Sequence, residues 1–372
     1  METKIIAMYL PQYHTIPEND KWWGEGYTDW VAVKKSKPLF KNHNQPRIPL
    51  NENYYDLTDV NTLRWEAQLA KVYGIDGFGI YHYWFSDEIK LLEKPAEIIL
   101  QNPDIDIDFF FTWDNGSWKR TWSNVRKSND WAPAFDKKPH NPEDNGLLAE
   151  LIYGDEKSWE KHFQYLLPFF KDKRYIKKDN CPIFALFQPD NNFETIKKMC
   201  LYWNTLAIRE GFAGIFFIFK QCYKGLRLDY MMRYEPLSAN TRYELWVNRF
   251  HNVLNRIRPK LRIFDYDKIW GKIIRNARHS KHRPIYYGGF TGFDDSPRRG
   301  KKARIILGGT PEKFQNYLDQ LYSISQSQGK EFIFLTAWNE WGEGAYLEPD
   351  TTDGYAYLEA VKAVKERHEK DS

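Results

Sequence analysis

The chain has 372 residues, 42% hydrophobic and 28% charged, enough to bury roughly three quarters of its unfolded surface. That balance excludes a disordered tail or a collagen-like fibre, and no apolar run approaches the ~20 residues of a membrane helix. A net charge of +4 names no partner, while Cys181, Cys200 and Cys222 show neither a disulfide framework nor metal-ligand spacing, which suits a reducing compartment.

Residues 1–10 read as a strand, because their apolar run is too short for a signal peptide and turns polar at once. The expected location is therefore cytoplasmic. Strands are predicted over 4–9, 77–82, 106–113, 181–187, 214–219, 230–234, 284–289 and 332–337. Most are near-continuously apolar, as parallel strands covered on both faces require. Amphipathic helices fall between them. Leu63, Ala67 and Ala70 form one stripe that stops at Gly74, and Trp159, Phe163, Leu166, Leu167 and Phe170 form another. Phe314, Leu318, Leu321 and Tyr322 follow a Thr310-Pro311-Glu312 start signal, and Tyr357, Val361 and Val364 mark the last helix.

Strands alternating with helices over this length predict an α/β fold, a (β/α)8 TIM barrel. An open doubly wound sheet would carry a glycine-rich phosphate turn, and none is present. With no repeat and no Pro/Gly/Ser linker, residues 1–372 read as a single domain. Two connections are long, 10–57 after strand one and 114–146 after strand three. Loops of this length in a compact domain are usually functional, and in a barrel both rise from the face that holds active sites. Both are rich in aromatics: Trp22, Trp23, Tyr27 and Trp30 in the first, Trp118, Trp122 and Trp131 in the second.

Aromatic residues make up 17% of the chain, including 15 Trp. Flat apolar faces with a polar edge suit sugar rings, although a large aromatic core would use the same residues. Polar and aromatic side chains also recur just past the predicted strand ends. Tyr13 and His14 follow strand one, His82, Tyr83 and Trp84 strand two, and Trp113, Asp114 and Asn115 strand three. Glu235 follows strand six and Asp294 strand seven. A sugar cleft needs hydrogen-bonding groups and aromatic plates in this way, whereas any one of them alone reads more readily as a helix cap or loop packing.

Strand eight runs into Trp338-Asn339-Glu340-Trp341-Gly342-Glu343-Gly344. Two carboxylates three residues apart among indoles suit acid–base work. Burial against indole raises a carboxyl pKa, while a more polar neighbour stays ionised. Glycoside cleavage uses such a pair. The plainer reading is one capping glutamate and one ion-paired glutamate.

Several runs together resemble the WbsX-type proteins of bacterial surface-polysaccharide clusters, which are related to the endo-mannosidase-like glycoside hydrolase family 99. They include Ala7 to His14, Trp22 to Trp30, Gly74 to Phe78, Tyr81 to Phe85, Leu166 to Asp172, Asp295 to Gly300 and Trp338 to Trp341. The resemblance covers nearly the whole chain. It implies a barrel acting on glycans in O-antigen or capsule metabolism, with an Asn-Glu-Trp-x-Glu-Gly motif matching Asn339 to Gly344. By that match Glu340 is the base acting through the sugar's own 2-hydroxyl and Glu343 the acid on the leaving oxygen, with retention. Around them Tyr13, His14, His82, Tyr83, Trp84, Trp113, Asp114, Asn115, Trp118, Glu235, Asp294, Trp338, Asn339 and Trp341 form the expected sugar shell. The chain departs from the family pattern at Gly116, where many members have glutamate, and at Ile152, usually acidic.

Two other functions compete. A glycosyltransferase of polysaccharide biosynthesis would offer a metal-binding Asp-x-Asp, matched nominally by Asp104-Ile105-Asp106 and Asp265-Tyr266-Asp267. A non-catalytic glycan-binding protein would have no need of the Glu340/Glu343 pair. Residues 254–283 carry ten Lys/Arg against two Asp, and 298–304 add five basic residues, with Tyr266 and Trp270 interleaved. We read this 254–304 region as a solvated face and expect no nucleic-acid partner. At most it makes peripheral contact with anionic headgroups where a lipid-linked glycan is assembled. The expected partner is an oligosaccharide or polysaccharide, with no metal and no cofactor.

Overall fold

The computed structural model describes residues 2–121, 123, 125, 128–130, 132–137, 144–188, 192–220, 230–239 and 261–370. Eight parallel strands form its centre: β1 (Lys4–Tyr9), β2 (Gly77–Trp84), β3 (Asp108–Trp113), β4 (Cys181–Leu186), β5 (Phe216–Phe219), β6 (Tyr230–Met232), β7 (Ile285–Phe290) and β8 (Phe332–Thr336). Each pairs with the next, and β1 pairs with both β2 and β8 (Ile6 opposite Gly77, Ile5 opposite Ile333), which closes the barrel. All eight expected strands are present with ends moved by one or two residues. The largest extension has a cause: an antiparallel pairing of Tyr83 and Trp84 with Leu91 and Lys90 carries β2 on to Trp84.

Seven long helices cover the strands among the described residues: α1 (Val60–Val72), α2 (Lys94–Gln101), α3 (Glu156–Lys171), α4 (Phe193–Arg209), α5 (Tyr266–Arg278), α6 (Pro311–Ser327) and α7 (Ala356–Lys370). Their caps follow the sequence. Asp59 accepts from Asn61 N–H at the start of α1, Asp155 from Lys157 and Ser158 N–H at α3, and Thr310 from Lys313 N–H at α6. The chain leaves α1 through Gly74 at φ +80°, a left-handed conformation that favours glycine. None of the helices is long and apolar enough to cross a membrane. Tyr266 and Trp270 of the basic region are buried under α5, with Trp270 stacked on Phe290 at 5.5 Å, so neither is a surface plate.

The barrel has two layers of packing because strand side chains alternate. Facing the lumen, Tyr81 donates to the Tyr234 hydroxyl across the barrel at 2.7 Å, and Phe110 meets Phe334 at 5.9 Å. Facing the helices, Phe111 packs on Phe169 of α3 and Phe184 on Trp203 of α4.

The two long loops meet over the strand ends. The first carries short helices Pro17–Trp23 and Asp29–Lys35. Trp22 packs edge-on against Trp118 at 5.9 Å, and Tyr27 against Phe135 at 5.6 Å. Buried Arg120 pairs with Asp136 at 2.7 Å. Most of these aromatics therefore build a roof. Trp122 and Trp131 lie outside the described residues.

Gly288 faces the lumen, where a Cβ would stand 2.0 Å from the Arg233 carbonyl oxygen, a backbone atom that has no rotamer to yield. Gly288→Ala is expected to cost at least about 3 kcal/mol, read as a lowered urea midpoint at unchanged m-value.

Candidate active site

The segment after β8 folds into a tight hairpin. Asn339–Glu340 pairs antiparallel with Ala345–Tyr346 around a turn at Trp341–Glu343, and Gly344 adopts φ +56° to complete it. The hairpin is tied to the barrel by backbone and side chain. Trp338 N–H donates to the Met8 carbonyl at 2.7 Å. The Asn339 amide accepts from Leu10 N–H at 2.7 Å and donates to the Leu10 carbonyl at 3.1 Å, prolonging strand pairing beyond β1. Tyr13 donates to the Asn339 carbonyl and accepts from Trp341 N–H. Trp341 stacks on Tyr346 at 3.7 Å.

These restraints aim Glu340 and Glu343 at one guanidinium. Arg298, from the turn Ser296–Arg299, reaches Asp29 Oδ2 at 2.9 Å, Glu340 Oε2 at 3.2 Å and Glu343 Oε1 at 3.0 Å. A Cβ on Gly342 would stand 2.5 Å from Asp29 Oδ2 and 2.6 Å from Arg298 Nε, which is why a glycine lies between Trp341 and Glu343. The Arg298 and Glu340 side chains are 4% exposed and Glu343 is 25% exposed, so only Glu343 opens to incoming solvent or ligand.

One buried cation cannot balance three carboxylates in a medium that penalises each uncompensated charge. Burial, followed by the neighbouring Glu343 charge, pushes the Glu340 carboxyl up to about 8 despite Arg298. The pair thus keeps a proton at neutral pH.

A second wall faces this cluster across the lumen. The Lys220 ammonium lies 3.2 Å from the Phe187 ring centre and 4.6 Å from that of Tyr234. Burial pulls it down to about 7, against the attraction of Asp114, Glu343 and Glu340. Asp114 accepts from Gln188 at 3.2 Å and Asn129 at 3.4 Å, and burial pushes it up to about 6. The charge of Glu340 also bears on Tyr13, and on Tyr81, Tyr83 and Tyr234, which line the same opening. The buried Gln12 amide donates to the Tyr83 hydroxyl in the same group.

The expected sugar shell divides by strand face. Tyr83 and Asp114 lie beside Glu340 and Glu343 on the lumen side, whereas fully buried Tyr13 packs on Trp30 and Tyr55 beneath the hairpin. His82, Trp84 and Trp113 point the other way. His82 Nε2 lies 2.8 Å from His162 Nε2 of α3, Trp84 stacks on His162 at 4.4 Å, and Trp113 donates to the Trp84 carbonyl. Trp338 packs against Phe78 and donates to Glu66 of α1. Glu235 accepts from Ala239 N–H and lines a small cavity under α5 with Arg233 and Ile273. Asn115 ties Gln188 to the Tyr153 hydroxyl, Trp118 belongs to the roof, and Asp294 is held by His43 and Gln45. His14 is buried, and burial pulls its imidazole down to about 4. A Cβ at Gly116 would stand 2.5 Å from Gln188 Nε2, so a glutamate there requires the Gln188 side chain to move, while Ile152 is exposed. The expected shell left out Gln12, Gln188 and Lys220, although each stands just past a predicted strand end, and the sequence reading gave no site role to Asp29, Arg298, Tyr81 or Tyr234. Asp29 and Arg298 lie inside two of the runs that carry the family resemblance.

Residues 5–361 match a family model described as Glycosyltransferase WbsX. Two curated relatives from Xanthomonas campestris pv. campestris, strains B100 and ATCC 33913, each described as an uncharacterized protein WxcX, are 28% identical over 98% of this chain. The chain spans about half the length of these relatives, 50%. Among solved structures, the GH99 endo-alpha-mannosidase of Bacteroides thetaiotaomicron aligns over 98% of this chain and 97% of its own, with TM-score 0.56 and 13% identity. A glycoside hydrolase-like protein aligns over 98% of this chain and 94% of its own, with TM-score 0.55 and 12% identity. At these identities the likeness is one of fold.

Arg298→Met leaves Asp29, Glu340 and Glu343 without their cation. It is expected to destabilise by about 3–5 kcal/mol at pH 7 and by less at pH 5, where the orphaned carboxyls take up protons, as urea denaturation at the two pH values reads.

Proposed function

This chain belongs to the Glycosyltransferase WbsX family, and we propose that it cleaves or transfers glycosidic bonds with Glu340 and Glu343 as its acid–base pair. The observation that carries the reading is the desolvated carboxyl pair held on Arg298 at the barrel mouth, facing a wall of tyrosines and Lys220. Hydrolysis is the favoured form, on an oligosaccharide or polysaccharide of bacterial surface-glycan metabolism, lipid-linked or free. Tyr83, Asp114 and the lumen groups beside them are the proposed sugar contacts.

In the proposed mechanism the substrate's 2-hydroxyl attacks its own anomeric carbon. Glu340 takes the hydroxyl proton, and Glu343 protonates the leaving oxygen. A water then reopens the internal sugar ring with the roles reversed, which retains configuration. A base with a pKa near 8 is better matched to a sugar hydroxyl than an ordinary carboxylate. The resting proton sits on Glu340, whereas attack needs it on Glu343. Both arrangements contain one proton, so the singly protonated pair is the reactive form and its members titrate as a unit. Activity should therefore fall as pH rises through about 8, where that proton leaves. A pH profile of kcat/KM reads this alkaline limb.

A metal-dependent nucleotide-sugar transferase is the alternative that the family description favours. Its candidate carboxylates are engaged elsewhere: Asp104 pairs with Arg64 at 2.6 Å, Asp106 pairs with Lys71, Asp265 caps α5, and Asp267 pairs with Lys313 at 2.6 Å. A purely glycan-binding role leaves the cost of the buried pair without a purpose.

The test is a product screen on surface polysaccharides and synthetic oligosaccharides, α-mannosides first, without nucleotide sugar, for wild type, Glu340→Gln and Glu343→Gln. Cleavage by wild type with losses of about 10³-fold or more in each variant is expected. Consumption of a nucleotide sugar with metal, and no cleavage, would assign the transferase. Tight glycan binding without turnover would leave a binding protein.

A further inference from the structure

Glu66 occupies the buried stripe of α1, between Leu63 and Ala67, where an amphipathic helix ordinarily places an apolar residue. It is fully buried, and so is Glu348, just beyond the catalytic hairpin, at 3% exposure. Glu66 accepts from the Tyr9 hydroxyl at 2.6 Å and from the Trp338 indole at 3.1 Å. Glu348 Oε2 accepts from the Trp341 indole at 2.6 Å and from the Tyr55 hydroxyl at 2.9 Å. The two carboxyls also hydrogen-bond to each other. Glu348 Oε1 is buried with no donor to accept from among the described residues, as suits a protonated oxygen that itself donates.

Trp338 and Trp341 immediately bracket Asn339–Glu340. We propose that Glu66 and Glu348 form a carboxyl pair sharing a proton, and that this pair positions Glu340 by gripping the indoles on either side of it. The role of this grip in turnover rests on the acid–base reading of Glu340; the grip itself does not.

The groups packed around the pair carry no positive charge to balance a second anion. Among the described residues, β1 contributes Tyr9, the first loop Tyr55 and Tyr13, and the hairpin two indoles, with Asp29, Glu340 and Arg298 beyond Tyr13. Two adjacent carboxylates without a cation cannot both ionise, so a proton stays. Burial pushes Glu66 up to about 7 from its ordinary 4.5, and Glu348 is raised further by burial and by the Glu66 charge. The sign follows. Between about 4.5 and 7 the unfolded chain releases protons that the folded pair retains, so the pair's contribution to stability is full below that window and declines as pH rises through it.

The test uses the full chain with nitrogen-15-labelled tryptophan, following indole N–H resonances from pH 5 to 9. The Trp338 and Trp341 signals are assigned with Trp338→Phe and Trp341→Phe. Both should move along one shared titration with a midpoint near 7, persist in Glu340→Gln, and lose that titration in Glu66→Gln. Separate midpoints, or a titration that survives in Glu66→Gln, would overturn the proposal. No substrate enters this arm, so it decides the grip whether or not a glycan is cleaved. On a synthetic oligosaccharide that wild type cleaves, Glu66→Leu should lower kcat by about 10²-fold with KM within about twofold, and Glu66→Gln should recover most of it. Equal losses in both variants would reject positioning by the pair.

Discussion

The mouth of this barrel is organised by one arginine buried among three acids. Arg298 draws together the first loop through Asp29, the turn after β7 that carries it, and the hairpin after β8 through Glu340 and Glu343. The arrangement is costly to desolvate and costlier to break, because a lost partner strands a charge. It also leaves three acids sharing a single guanidinium. That deficit, combined with burial, keeps a proton on Glu340 at neutral pH.

The supports of the hairpin are arranged in depth. Asn339 extends strand pairing to Leu10, Tyr13 braces the hairpin backbone, and Gly342 admits the guanidinium–carboxylate contact. Trp338 and Trp341, beside the acid in sequence, turn away from the lumen to Glu66 and Glu348. Their indoles therefore act on Glu340 through anchorage, and the tyrosines and Lys220 of the far wall offer the surface that faces it.

The barrel was legible because its strands are continuous apolar runs and its helices carry stripes and caps, signals that are local. The three-residue β6 was the weakest of these strand signals. The site was legible only in part, for two reasons. Strand side chains alternate, and a list of polar residues past each strand end cannot say which face each takes. His82, Trp84 and Trp113 went to the helices, while Tyr81, Tyr83 and Asp114, their alternates, went to the lumen. A one-residue change of phase reverses every such assignment. The second reason is distance along the chain. Asp29 and Arg298 are separated by 269 positions, and no local pattern indicates that they meet. The acid pair itself was legible because both members share one short hairpin.

The charge state of Glu340 is the claim on which the account turns. Carbon-13 NMR of side-chain-labelled glutamate, with Glu340→Gln identifying the resonance, measures it directly in the unliganded protein. A carboxyl still protonated at pH 7 and titrating near 8 is the predicted result. A Glu340 carboxylate already ionised at pH 6 would contradict the claim that one guanidinium among three acids leaves the Glu340/Glu343 pair with a proton.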